Sequence, residues 1–286
     1  MTIRKKRLTS FVLALILSLL MTRVMFETIT DEIAIFGFHD IINLDNPNEL
    51  PPKRREFDGD YTKQNLEKFI ESLVSDNYWF LTAQELYDYF LSLDKKRIPP
   101  EHKGQKKVML TIDDGYKAAH LNLMSIAENI ENKYNQKIKF VWFVNPSFLG
   151  INGVELAHAS CGDLREGLEK GFYDVESHGA NHTDLTTLKV EDLEKELLNS
   201  QQVLRECTQD LDKNKTVASH IAYPFGAVND QVEKYVAKYY LSGYLYNNLP
   251  LKLGWWSSNN YQIPRISIHS RIAVKKLIWI ASGGLL

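Results

Sequence analysis

Apolar and polar positions in this chain fall into blocks that switch between two periods. Residues 33–38 (IAIFGF) form a short apolar run ended by His39, the pattern of a strand with a polar residue at its tip. Residues 43–60 are rich in Pro, Asn and charge and predict a surface loop. Leu66, Phe69, Ile70, Leu73 and Val74 then recur at helical spacing as one apolar stripe. Thr82 and Glu85 have capping-box spacing, and Leu86, Tyr89, Phe90 and Leu93 continue a second stripe. Residues 94–107, with Pro99 and Pro100, read as another loop. The runs 108–112 (VMLTI), 138–144 (IKFVWFV), 172–177 (FYDVES) and 219–223 (SHIAY) predict strands, as do 243–247 and 262–268. Helices are predicted over 117–134, 190–207 and about 229–240. Alternating strands and helices predict an α/β fold with a parallel sheet or barrel. Polar signatures sit just after the strands, where barrel enzymes carry their chemistry.

Bulk properties narrow the class. The chain has 286 residues, 44% hydrophobic and 24% charged, which suits one large globular domain. A net charge of -2 gives no sign of a nucleic-acid partner. Cys161 and Cys207 are the two cysteines; one disulfide or two buried thiols both fit. Arg4, Lys5, Lys6 and Arg7 precede an apolar run over 11–21, broken by Ser18 and followed by Arg23. That is the pattern of a secretory signal. Residues 1–28 are therefore read as a signal-anchor, with a cleaved signal peptide as the alternative, and 29–286 as one exported domain. The expected location is extracytoplasmic, membrane-anchored or secreted, at the cell envelope.

Three short segments carry candidate chemistry. Thr111-Ile112-Asp113-Asp114-Gly115 sets two carboxylates at a strand end, tolerable if one binds a cation. His178 and His182, four apart, can meet one metal ion from a helix or tight turn. Gly179 follows the first histidine where the metalloprotease motif needs Glu, which excludes that reading. Two His and one carboxylate leave positions open for water and substrate, and the spare carboxylate can take a proton from water. Tyr223-Pro224-Phe225-Gly226 fixes a tight loop whose backbone N–H could face an oxyanion. Taken singly, each segment is equally an ordinary turn or a pair of surface histidines.

In this order the three segments resemble the NodB-type polysaccharide deacetylases of carbohydrate esterase family four, over roughly residues 33–270. Thr111 to Gly115 matches the family's Thr-Phe-Asp-Asp-Gly motif, with Ile112 for Phe. His178 to His182 matches its His-x-x-x-His, and Pro224-Phe225-Gly226 its third motif. The resemblance implies a distorted (β/α) barrel, often with fewer than eight strands. It implies Asp113 as catalytic base, Asp114, His178 and His182 as metal ligands, and the Phe225 N–H as oxyanion donor, with Tyr223 and Pro224 alongside. Its metal is one divalent ion, usually zinc, though cobalt or nickel can serve. The substrate implied is an N-acetylated polysaccharide, and the membrane is a partner through the N-terminal segment.

Two departures matter. The Arg that the family places shortly before the third motif is missing from 218–222 (ASHIA); Arg265 is the candidate substitute for orienting the base. The general acid is either His269, late in the chain as in much of the family, or His39. Phe38-His39-Asp40-Ile41 resembles the start of a permuted subgroup that deacetylates poly-N-acetylglucosamine, which favours His39. The missing Arg also leaves open a catalytically impaired glycan-binding envelope protein. A glycosidase fits poorly, because adjacent carboxylates cannot flank a sugar bond.

Overall fold

A computed structural model describes residues 31–152, 156–253 and 259–284, together with Val12, Leu15 and Ser18. Apart from those three positions, the segment read as signal or anchor lies outside the described residues. Among the described residues no helix is long and apolar enough to cross a membrane.

The strands are β1 (Asp31–Phe38), β2 (Asp40–Ile42), β3 (Asp60–Thr62), β4 (Trp79–Phe80), β5 (Lys107–Ile112), β6 (Phe140–Val144), β7 (Tyr173–Ser177), β8 (His220–Ala222), β9 (Ser242–Tyr246), β10 (Leu251–Leu253) and β11 (Ile263–Ser267). The helices are α1 (Lys63–Ser75), α2 (Ala83–Leu86), α3 (Lys117–Tyr134), α4 (Cys161–Glu169), α5 (Val190–Thr208), α6 (Asp230–Tyr239) and α7 (Val274–Ala281). Seven strands, β1, β5, β6, β7, β8, β9 and β11, pair in parallel and in chain order, and β11 returns to β1. The result is a closed seven-stranded barrel with helices around it. β4 extends it beside β5, β10 lies antiparallel on the start of β1, and β2 pairs with β3 in a separate ribbon.

Strand periodicity decides what lies inside. Ile33, Ile35, Met109, Val141, Phe143, Tyr244 and Ile263 form the interior cluster. Their neighbours Ala34, Phe36, Phe38, Val108, Leu110, Ile112, Phe140, Trp142 and Val144 face outward, under the helices. Both faces are apolar, so these strands read as continuous apolar runs. Trp79, Leu81, Ala83, Leu86 and Leu91 join the interior cluster near the start of β5, at the end opposite the candidate site. The stripe predicted over 66–74 is buried as expected on α1.

The second stripe needs correction. The Thr82–Glu85 capping box forms, but α2 ends at Leu86 and widens into a π turn over Tyr87–Leu91. The wider turn shifts the helical phase, so Leu91 is buried while Leu93 is fully exposed. The 43–60 loop is also less superficial than its composition suggests. Arg54 is buried between Asp40 and Asp60, with Nη2 2.8 Å from Asp40 Oδ2 and 2.6 Å from Asp60 Oδ1. Helices α4 and α7, strand β10 and the β2–β3 ribbon have no counterpart among the predicted elements. Cys161 and Cys207 form a disulfide joining α4 to α5.

Candidate active site

The site lies at the C-terminal mouth of the barrel. Asp113 continues the inward phase of Met109 and Thr111 one step beyond β5, so its carboxylate enters the mouth from below. It is fully buried. Arg265 on β11 shares the phase of Ile263 and meets it: Nη1 is 2.7 Å from Oδ1 and Nη2 2.9 Å from Oδ2. Arg265 Nη1 also donates to Thr111 Oγ1 at 3.1 Å. Its guanidinium lies 4.1 Å from the Tyr246 ring centre and 5.2 Å from that of Phe143. The Tyr246 hydroxyl donates to Asp113 Oδ2 at 2.9 Å. Burial alone would raise the Asp113 carboxyl, but Arg265 above all, with His178 and His39, holds it well below the usual carboxylate range.

Asp114 turns away from its neighbour because its backbone is left-handed, with φ 70°, followed by Gly115 at φ 85°. A residue other than glycine would be strained at position 115. The turn carries Asp114 Oδ1 to 3.5 Å from His178 Nε2 and 3.3 Å from His182 Nε2. His178 follows β7 directly. Its Nδ1 is 2.8 Å from the Ala222 carbonyl, which can only accept, so Nδ1 carries the proton and Nε2 presents a lone pair. Burial pushes the His178 imidazole down, against the two aspartates, toward the neutral form. His182 has a left-handed backbone, φ 52°, and its ring lies 4.6 Å from that of Phe225.

These three residues meet the requirements of a divalent-ion site. Asp114 Oδ1 is buried with no hydrogen-bond partner, and two imidazole nitrogens converge on it. An unpartnered buried carboxylate oxygen is costly unless a cation satisfies it.

The third motif forms a 3₁₀ turn, Pro224–Gly226, in which the Gly226 N–H bonds to the Tyr223 carbonyl. Phe225 is its second residue, so its own N–H has no acceptor within the turn. Its backbone is left-handed, φ 60°, and its ring is two-thirds exposed beside His182. Tyr223 is a correction. Its hydroxyl donates to the Tyr261 carbonyl at 2.8 Å and its N–H to the Tyr244 carbonyl at 2.9 Å. With both donors engaged and the side chain fully buried, it supports the turn and offers nothing to a substrate. Pro224 is buried and has no N–H to give.

His39 and His269 line the same cleft of about 370 Å³, with Phe57, Asp58 and Arg271. His39 stacks on Tyr246, centroids 5.9 Å apart, and its Nδ1 is buried without a partner. His269 is exposed. Aromatic rings continue the wall past His39, from Phe57 to Tyr116 at 5.8 Å and on to His158 at 5.1 Å.

Residues 101–243, half of the chain, match the sequence model for polysaccharide deacetylase. The chain belongs to the polysaccharide deacetylase family. Its members are carbohydrate-active enzymes, and an N-acetylated polysaccharide is the class of substrate. Comparison with curated proteins finds no match. Solved structures agree on the fold. A polysaccharide deacetylase from Bacillus cereus is 20% identical, with a TM-score of 0.70 over 88% of this chain and 69% of that one. A Streptococcus pyogenes deacetylase, PplD, in complex with acetate is 21% identical, with a TM-score of 0.65 over 86% and 96%. A de-N-acetylase from Aggregatibacter actinomycetemcomitans is 14% identical, with a TM-score of 0.61 over 86% and 98%.

Several residues of this deacetylase site are not predicted from the sequence. Asn145 holds the His178–Gly179 turn, with Nδ2 donating to the His178 carbonyl and, at 3.3 Å, to that of Gly179. Glu196 on α5 accepts from the Asn181 N–H at 2.6 Å and Nδ2 at 2.7 Å, fixing the other side of the turn. Gly37 on β1 makes room for Tyr246: a Cβ there would fall 2.4 Å from the ring. Only an Asn-Pro strand stop, at 145–146, was available as a signal for any of them.

Proposed function

We propose that this deacetylase hydrolyses the N-acetyl groups of hexosamine units in an extracellular or cell-envelope polysaccharide. The observation that carries the reading is the placement of a buried carboxylate, Asp113, held by Arg265 and facing Asp114, His178 and His182. Asp114, His178 and His182 are the residues to hold one divalent ion, with zinc suited to two imidazoles and a carboxylate. Such an ion supplies Lewis acidity, making water acidic near neutral pH and polarising a carbonyl.

The chain's own groups do the rest. Asp113, ionised and oriented by Arg265 and Tyr246, takes the proton of the attacking water. The Phe225 N–H donates to the oxygen on which negative charge develops. His39, on the rim beside Tyr246, gives a proton to the departing amine. The products are acetate and a free amino sugar that gains positive charge. Phe57, Tyr116 and His158 offer ring faces to the sugar chain on the His39 side. Arg265 supplies the base-orienting group whose absence before the third motif suggested an impaired site.

A poly-N-acetylglucosamine-like polymer is the proposed substrate, on the resemblance around His39 to the subgroup acting on that glycan. The Cys161–Cys207 disulfide supports an oxidising, extracytoplasmic location. The basic cluster and apolar run before residue 24 support a membrane-anchored or secreted protein.

The test is acetate release, followed by mass, from acetylated glucosamine oligomers, peptidoglycan and chitin oligomers, with and without chelator. Chelator-sensitive release from the glucosamine polymer is expected, and Asp113→Asn is expected to lower it by roughly 10²–10⁴-fold while keeping the metal. Chain shortening without acetate overturns the reading.

A further inference from the structure

A second convergent set of donors lies outside the barrel, and the reaction above makes no use of it. His120, in the first turn of α3, is buried. Its Nε2 is 3.4 Å from Asp163 Oδ1 and 3.5 Å from Glu166 Oε2, both on α4. These separations are longer than the roughly 2.7–2.9 Å of a charge-assisted N–H···O bond. They match the edge of a coordination tetrahedron instead: two ligands each about 2.0–2.1 Å from one ion lie roughly 3.3–3.4 Å apart. The Asp114–His178–His182 set has edges of 3.5 and 3.3 Å, so the two sets are the same size.

The remaining atoms of these side chains are already engaged. Asp163 Oδ2 accepts from Lys117 Nζ at 2.6 Å, the Ser160 N–H at 2.8 Å and Ser160 Oγ at 3.0 Å, leaving Oδ1 for the cluster. Glu166 Oε1 accepts from Lys170 Nζ at 2.9 Å, leaving Oε2. The Tyr173 hydroxyl donates to the His120 carbonyl at 3.3 Å and lies 3.1 Å from His120 Nδ1. With its proton so used, that hydroxyl can accept from Nδ1, and, in the neutral tautomer this selects, Nε2 turns a lone pair toward two carboxylate oxygens. A lone pair facing two carboxylate oxygens is balanced either by a proton on Nε2 or by a cation among the three atoms. The local charge favours a cation: three carboxylates, Glu128, Asp163 and Glu166, face two ammonium groups, Lys117 and Lys170.

We propose that His120 Nε2, Asp163 Oδ1 and Glu166 Oε2 bind a second divalent cation of the zinc type, with a structural role. The site clamps the first turn of α3 to α4. Helix α3 begins directly after the Asp113–Tyr116 segment, and the chain leading into α4 is bonded to that segment too. The Ala159 N–H donates to the Gly115 carbonyl and the Lys117 N–H to the Ala157 carbonyl, both at 2.8 Å. An ion at His120 therefore steadies the loop from which the base and Asp114 project. The inference does not depend on the catalytic assignment.

Metal-stripped full-length protein titrated with zinc, by calorimetry and by metal analysis, tests it. The wild type is expected to take up two equivalents and Glu166→Gln one; Glu166 is partly exposed, so that variant keeps the fold. His178→Ala, which impairs the other site, is expected to retain one equivalent and a zinc-dependent rise in melting temperature of a few degrees. Adding Glu166→Gln to it should abolish both. If Glu166→Gln binds as much zinc as the wild type, or zinc leaves the melting temperature of His178→Ala unchanged, the second site does not exist.

Discussion

Arg265 grips Asp113 through both terminal guanidinium nitrogens, at 2.7 and 2.9 Å, and neither side chain reaches solvent. The two residues stand 152 positions apart, on β11 and just after β5. Removing one partner of a buried pair leaves the other charge uncompensated, at a cost of about 3–5 kcal/mol. Arg265→Met should therefore lower the urea midpoint sharply as well as abolish acetate release. Arg265→Lys keeps the charge but loses the fork, and should fall between the two in both measurements. Wild-type activity in Arg265→Met would remove the base-orienting role.

The choice of acid comes down to two histidines on one cleft. His39→Ala is expected to lower turnover by about 10²-fold or more, the scale of lost acid–base catalysis. His269→Ala, altering an exposed side chain, should stay within a few-fold of wild type. Steady-state acetate release from the same glucosamine oligomer decides it, and the reverse ranking would transfer the role to His269.

Tyr246 and Gly37 act as one unit. Gly37→Ala would drive a methyl into the Tyr246 ring, 2.4 Å away, and push the hydroxyl off Asp113. Loss of activity in Gly37→Ala should exceed that in Tyr246→Phe, which removes one hydrogen bond to a charged acceptor, worth about 1.5–3 kcal/mol, and leaves the packing intact. Equal activity in Gly37→Ala and wild type would show that the ring has room to move.

Inside the barrel, His220 is fully buried, with Nδ1 2.7 Å from Ser242 Oγ. Burial pushes its pKa down from 6.5 to about 3. Between those values the unfolded chain takes up a proton that the folded chain refuses, so stability falls as pH drops through this window. Each unit is worth at most about 1.4 kcal/mol. Relative to His220→Gln, the wild type should lose about 2 kcal/mol between pH 8 and pH 5, measured by urea denaturation at each pH. Parallel pH profiles for the two proteins would contradict the buried neutral imidazole.

Much of the barrel was legible because its strands are apolar on both faces and end in polar residues. The runs at 33–38, 108–112 and 172–177 thus marked both the strands and the chemistry at their tips. Helix α4 was missed although Ser160 and Asp163 form a capping box, because its nine residues carry a stripe of only Cys161, Leu164 and Leu168, too short to stand out. The roles of Asn145, Tyr246 and Gly37 depend on register across neighbouring strands, which no local pattern records. Tyr223 misled for the opposite reason: it stands inside a motif, yet its hydroxyl points into the protein and is bonded there.

The disulfide joins residues 161 and 207, 46 positions apart, and the loop it closes contains both His178 and His182 but neither Asp113 nor Asp114. By chain entropy a loop of that size is worth about 4 kcal/mol. A protease that nicks the chain between His182 and α5 would therefore leave one covalent molecule, the part carrying Asp113, Asp114 and both imidazoles still joined to the part carrying Phe225 and Arg265. Reductant, rather than the cut itself, would be what frees the fragment bearing Phe225 and Arg265.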